Sequence, residues 1–187
     1  MHVNDKLQED PRSRVRALLD ELGVDAGFME TCRMPLLREC NNLVETELDV
    51  FGRQPLLDAE AFAAWSAMRA AALAEGIHLQ IVSAYRSIEY QKQLFLRKLA
   101  RGDRITDILQ VNAAPGYSEH HSGCALDIST PGFAHLETEF ERSPAFTWLL
   151  EHAEKFGFQL SFPRGNPYGV QYEPWHWCYR SKNVKQL

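Results

Sequence analysis

Two short blocks lying far apart in the chain have a chemical use only if the fold brings them together. The first is Ser118-Glu119-His120-His121-Ser122-Gly123-Cys124-Ala125-Leu126-Asp127, and the second is Tyr172-Glu173-Pro174-Trp175-His176-Trp177. Two imidazoles and one carboxylate make a ligand set that a catalytic zinc uses, with one coordination position left for water. His120 lies in a turn region, Asp127 in an adjoining strand seven positions later, and His176 must arrive from a neighbouring strand. Gly123 and Ala125 leave room for the backbone to approach closely. Glu173 is biased toward an extended conformation by Pro174. An unliganded glutamate there is placed to take the proton of a metal-bound water. Taken singly, each of these residues reads as an ordinary polar side chain; the spaced set is what points to a site.

Hydrophobic periodicity sketches the fold that would join the blocks. After a lead-in over residues 1–10, Val15, Leu18, Leu19 and Leu22 predict a helix over 12–22 that Gly23 stops. Leu43, Val44, Leu48, Val50 and Phe51 suggest an extended piece ahead of a turn at Gly52-Arg53-Gln54-Pro55. Asp58 caps a stronger helix with Phe62, Trp65, Met68 and Leu73 on one face, ended by Gly76. Residues 77–86 read as a strand, with Ile77, Leu79 and Ile81 opposite His78, Gln80, Val82 and Arg86. Ser87 caps a helix over 88–100 with Leu94, Phe95 and Leu99 inward; residues 101–117 are mixed, and Pro115-Gly116 marks a turn.

Residues 124–129 read as a strand with Ala125, Asp127 and Ser129 on one face and Cys124, Leu126 and Ile128 on the other. A loop over 130–143 precedes a helix that starts at Ser143-Pro144, buries Phe146, Leu149, Leu150, Ala153 and Phe156, and stops at Gly157. Residues 158–162 alternate as a further strand. Short strands with hairpin-like connections among helices predict an α+β fold, a small antiparallel sheet flanked by helices with the zinc site at the sheet. At 187 residues the chain suits a single domain.

Composition removes several function classes. The net charge of −5 comes without a basic stripe, which argues against a nucleic-acid partner. The polar N-terminal residues show no apolar core of a signal peptide, and no run is long enough for a membrane span, so a cytoplasmic location is expected. Four cysteines, at 32, 40, 124 and 178, form no CxxC pair and read as free thiols. Neither a Gly-x-Ser-x-Gly elbow nor a phosphate-cradling glycine motif is present.

Other residues near the blocks carry a second tier of expectations. Arg86, ending the strand over 77–86, is a candidate clamp for an anionic substrate group, though a snorkelling arginine fits equally. Ser118 is suited to bond substrate or His120, or simply to make a turn. His121 points away from ligation, Cys178 reads as a packed thiol, and Trp175 and Trp177 as packing residues that shape the site.

The pattern Ser118-x-His120-x-x-Gly123-x-Ala125-x-Asp127 with Glu173-x-x-His176 resembles the zinc D-alanyl-D-alanine carboxypeptidase (VanY-like) family. That family is related to D,D-dipeptidases and to the hedgehog-type zinc fold. Ser83-Ala84-Tyr85-Arg86-Ser87 with Gln91, and Phe156 to Leu160 running on through Phe162-Pro163-Arg164-Gly165, extend the likeness over about residues 56–180, leaving 1–55 as an N-terminal addition. The resemblance implies one zinc per chain on His120, Asp127 and His176, with Glu173 as general base. It implies that Arg86 polarises or anchors the scissile amide, with Ser83, Tyr85, Gln91 and Ser118 near a peptidoglycan-derived peptide. The expected reaction is removal of a terminal D-Ala. L,D-carboxypeptidase, D,D-dipeptidase, endopeptidase and non-catalytic zinc-module roles stand as alternatives. Cys178 departs from the arginine that close relatives often carry there, and Ser161 is a second departure, both bearing on substrate preference.

Overall fold

A computed structural model describes residues 10–180. Its elements are α1 (Pro11–Glu21), α2 (Phe28–Thr31), β1 (Leu43–Glu45), β2 (Leu56–Asp58), α3 (Ala59–Ala74), β3 (Gln80–Ser83), α4 (Ile88–Ala100), α5 (Ile105–Val111), β4 (Ala125–Ser129), α6 (Pro144–His152), β5 (Phe158–Leu160) and β6 (His176–Tyr179). Short 3-10 turns occupy Glu119–Ser122, Thr138–Arg142 and Ala153–Phe156. Strands β1 and β2 form a small antiparallel ribbon, and the main sheet has the order β3-β4-β6-β5 with every pairing antiparallel. The architecture is α+β. The expected lead-in over residues 1–10 lies, Asp10 aside, outside the described residues.

The two-residue period of a strand sorts core from site. Leu126 and Ile128 of β4 and Trp177 of β6 turn toward Trp65 and Met68 of α3 and Phe146 and Leu149 of α6, forming the main core. Asp127 and His176 lie on the opposite face, directly paired in the β4–β6 register. A second core, built from Val15, Leu19, Phe95, Ile108 and Phe162, packs α1, α4 and α5 beside the sheet. The cleft between these masses is where the two sequence blocks meet.

Local chemistry explains the boundaries. Asp58 caps α3 by accepting the N–H groups of Glu60 and Ala61, Ser87 caps α4 through Tyr90 N–H, and Ser143 caps α6 through Phe146 N–H. Gly123 closes the turn of the His120 block at φ +70°, and a Cβ there would sit 2.9 Å from the backbone nitrogen of Asp58. The Asp58 N–H donates to the Gly123 carbonyl at 2.9 Å, so the start of α3 is stapled to that block.

Several expectations are corrected. The strand expected over 77–86 shrinks to Gln80–Ser83, and a bulge between Ile81 and Ser83 breaks its alternation, so Ile81 and Val82 are both buried. Arg86 therefore lies beyond the strand and not on a shared face with His78 and Gln80. Leu73, expected inward on α3, is 52% exposed; Ala61 and Ala72 take inward places beside Trp65 and Met68. Leu48 and Phe51, read as part of an extended piece, instead lie exposed around a turn held by Asp49, and Leu150 of α6, expected inward, is exposed as well. Helices α2 and α5 and strand β2 fall in stretches where the sequence shows no clear period.

Candidate metal centre

The side chains of His120, Asp127 and His176 converge, each offering a ligand atom within 4.8 Å of the others, and all three residues are buried. The antiparallel register sets Asp127 opposite His176, and the 3-10 turn at Glu119–Ser122 swings His120 over them. Its ring centroid is 4.9 Å from that of His176.

The ring protons can be assigned from the partners. His120 Nδ1 lies 2.6 Å from the Ala84 carbonyl oxygen, which only accepts, so Nδ1 carries the proton. His120 Nε2 then presents a lone pair. It is buried without a hydrogen-bond partner and lies 3.3 Å from Asp127 Oδ2, which also presents lone pairs. Two lone-pair atoms facing each other in a buried pocket are a cradle for a cation. On the other side, His176 Nε2 meets Glu119 Oε2 at 3.0 Å, while Nδ1 meets Asp127 Oδ1 at 3.0 Å. The His176 ring therefore turns Nδ1 inward and has its outer N–H held by a carboxylate, the orienting device of metal-bound imidazoles. The donor set of two nitrogens and one oxygen fits zinc.

Electrostatics without an ion are consistent with that cradle. Burial, then the Arg86 charge, lowers His120 to a pKa of about 4, so its ring is neutral. For His176 burial works against the proton, but the bonds to Asp127 and Glu119 outweigh it and raise the pKa to about 10. A proton on Nδ1 thus occupies the place a metal would take. Burial pushes Asp127 and Glu119 up, yet the histidines around the first, and His176 with Arg180 around the second, hold both carboxyls well below the ordinary range.

Glu173 lies just outside the trio, its Oε2 3.8 Å from His176 Nδ1. Its backbone is fixed by a bond from its N–H to the Phe162 carbonyl and by His176 N–H donating to its own carbonyl. Burial raises its carboxyl to about 7, with the neighbouring His176 charge opposing. Arg86 reaches Asp127 Oδ2 at 3.9 Å, and its Nε is buried without a partner.

These residues line one cleft of about 350 Å³, together with Ser118, Gln91, Lys98, Phe162, Tyr172 and Trp175. Gln91 donates from Nε2 to the Ala113 carbonyl and leaves Oε1 buried without a partner. Ser83 and Tyr85 do not line this cleft; they border a separate depression with Asp49 and Arg53, which touches the first only through Arg86. His121 stays out of the trio: its Nδ1 donates to the Arg86 carbonyl at 2.6 Å, and its Nε2 accepts the Gly116 N–H at 3.1 Å. Cys178 is buried against Ala61, Cys124 and Ala125, and all four cysteines are unbridged.

Two residues the sequence reading passed over are Glu119 and Arg180. Arg180 Nη1 donates to Glu119 Oε1 at 2.8 Å and Nη2 to Ser161 Oγ at 3.0 Å, so a chain runs Ser161, Arg180, Glu119, His176. Arg180 stands two residues beyond Cys178, on the same side of β6 extended. The signal for Glu119 was its adjacency to His120, which by itself is weak.

A sequence model described as D-alanyl-D-alanine carboxypeptidase (VanY) matches residues 54–182. A D-alanyl-D-alanine carboxypeptidase of Enterococcus faecium is 36% identical over 101 residues, 53% of this chain and 29% of the relative. Among solved structures, the LdcB LD-carboxypeptidase superposes with a TM-score of 0.69 at 31% identity, covering 80% of this chain and 72% of that one. The vancomycin resistance D,D-pentapeptidase VanY in complex with Zn(II) superposes at 0.57 and 27% identity, covering 76% and 85%. This chain spans between 29% and 55% of the length of the curated relatives it matches. Block spacing, sheet register and the run of matched residues agree on one conclusion: the chain belongs to the VanY D-alanyl-D-alanine carboxypeptidase family.

Proposed function

We propose that this chain is a zinc-dependent carboxypeptidase that removes a terminal D-amino acid, D-Ala, from peptidoglycan-type peptides. One ion per chain would be held by His120 Nε2, His176 Nδ1 and Asp127. The observation that carries the reading is the buried convergence of these three ligand atoms, with both outward ring N–H groups already committed to acceptors. When bound there, zinc supplies a Lewis acid that acidifies water and polarises the scissile carbonyl.

The chain's own residues account for the remaining steps. Glu173, raised to about 7 by burial, is poised both to accept the proton of the attacking water and to pass it to the leaving amine. Arg86 is positioned beside Asp127 to face the negative charge that grows on the carbonyl oxygen. Its buried Nε, without a partner among the described residues, gives it donor capacity to spare. Ser118 and Gln91 line the wall where the peptide backbone would lie. Phe162 and Trp175 add apolar surface to the lining of the cleft.

Cleavage next to an L-centre in a tetrapeptide is the second reading, favoured by the likeness to the LD-carboxypeptidase at the higher TM-score and identity. The test is D-Ala release by the zinc-loaded protein from a pentapeptide ending in D-Ala-D-Ala and from the matching tetrapeptide, with and without chelator. Chelator-sensitive release from the pentapeptide supports the D,D reading, and preference for the tetrapeptide transfers the function to L,D cleavage. No release from either contradicts both.

A further inference from the structure

One cation in the metal cleft has no partner among the described residues. Lys98 lines the cleft with Arg86 and Gln91, is partly buried, and has neither a hydrogen bond nor an ion pair to any described residue. It stands seven residues after Gln91, two turns along α4, and so on the same face of that helix. Lys98 is close enough to Arg86 for the two charges to influence each other, and both line the cleft with Gln91. Burial, with Arg101 next and Arg86 also contributing, lowers its pKa, and only Asp103 opposes. Asp103 is itself 3.4 Å from Arg101.

Of the cleft's other ionised groups, all but Glu137 are engaged. Glu119 is bonded to Arg180 and His176, and Asp127 faces both histidines and Arg86. Glu173 sits against His176, and Glu137 is exposed at the rim. Two cations lining the same cleft as a buried, unused side-chain oxygen of Gln91 match a ligand that offers both an anion and an N–H donor. The last residue of a peptide has that arrangement.

Resting on the carboxypeptidase reading, we propose that Lys98 is a specificity-determining residue that receives the free C-terminal carboxylate of the peptide, while Gln91 Oε1 accepts a backbone N–H of the terminal residue. Arg86, beside Asp127, then serves the scissile carbonyl, and Lys98 is what makes the cleft select chain ends over internal bonds.

The test uses the zinc-loaded protein and needs no turnover: binding of the dipeptide D-Ala-D-Ala and of its C-terminal amide is measured by calorimetry for wild type, Lys98→Met and Lys98→Arg. Wild type is expected to prefer the free acid by at least about tenfold. Lys98→Met is expected to erase that preference by weakening the acid alone, and Lys98→Arg to restore part of it. Equal binding of acid and amide by wild type overturns the proposal, as does an undiminished preference in Lys98→Met. A loss in Lys98→Met that is equal for both ligands also overturns it, since that marks a general effect on the cleft. Failure of the hydrolysis assay with an intact acid preference would sink the catalytic reading and leave the carboxylate site standing.

Discussion

Glu119 is the sharpest lever on the metal centre because it touches no metal position and yet holds a ligand. Its carboxylate accepts the outer N–H of His176 at 3.0 Å and is itself held by Arg180 at 2.8 Å. Replacing it with alanine frees the His176 ring to rotate and removes the charge that makes its inner nitrogen a stronger donor. Loss of such an outer partner costs ten- to a hundredfold in metal affinity, about 1.4–2.7 kcal/mol. One effect opposes this: without Glu119 the metal-free ring holds its competing proton less tightly, so the lower end of that range is expected near neutral pH. Glu119→Gln should fall between wild type and alanine, because an amide oxygen still accepts the N–H but carries no charge. The assay is zinc competition against a chromophoric chelator at fixed pH, with circular dichroism to verify that the variants are folded. A folded Glu119→Ala protein that binds zinc within twofold of wild type would refute the reasoning.

Other perturbations probe the frame and the ligand set. Gly123→Ala should destabilise the fold by about 1–2 kcal/mol for the left-handed backbone alone, and more for the contact with Asp58, measured as a lower urea midpoint. Asp49→Ala removes the acceptor of the Phe51 and Arg53 N–H groups and the partner of the Arg53 side chain, costing about 1–3 kcal/mol in the same measurement. Burial raises Asp49, but its bonds to Arg53 and Phe51 lower it further, so the folded pKa is depressed. Its stabilisation is present above the unfolded carboxyl pKa of about 4 and is lost as pH falls through the folded one; the alanine variant should lose less stability than wild type in that acid range. Cys178→Ala should leave zinc binding unchanged, because the thiol packs against Cys124 and Ala125 and takes no place in the ligand trio; a marked loss of zinc would move the sulfur into the site.

What the sequence made legible was whatever rests on periodicity, caps and spacing. The caps at Asp58, Ser87 and Ser143 sit at element starts because a short polar side chain next to a helical stripe has few other uses. The alternation through Ala125–Ser129 told site from core, since a two-residue period survives in any paired strand, whereas Trp177, read as shaping the site, packs into the core on the opposite face. Arg86 was noticed by residue type but its setting was misread, because the bulge at Val82 shifts the register and no local rule announces it. Leu73 and Leu150 show the limit of counting apolar residues, since a stripe wider than the neighbour it packs on leaves its edge in water. Glu119, Arg180 and Lys98 were not legible because their meaning lies in partners brought from distant segments. The same holds for His121, whose two bonds fix the backbone of Arg86 and Gly116 from inside the fold.

Anomalous diffraction at the zinc edge, from crystals grown with zinc, tests most directly whether the three ligand atoms hold a zinc ion. One peak per chain is expected, about 2.0–2.2 Å from His120 Nε2, His176 Nδ1 and an Asp127 carboxylate oxygen, with Glu173 outside bonding distance. A peak on Cys124 or Cys178, or none in the cleft of a zinc-replete crystal, would contradict it.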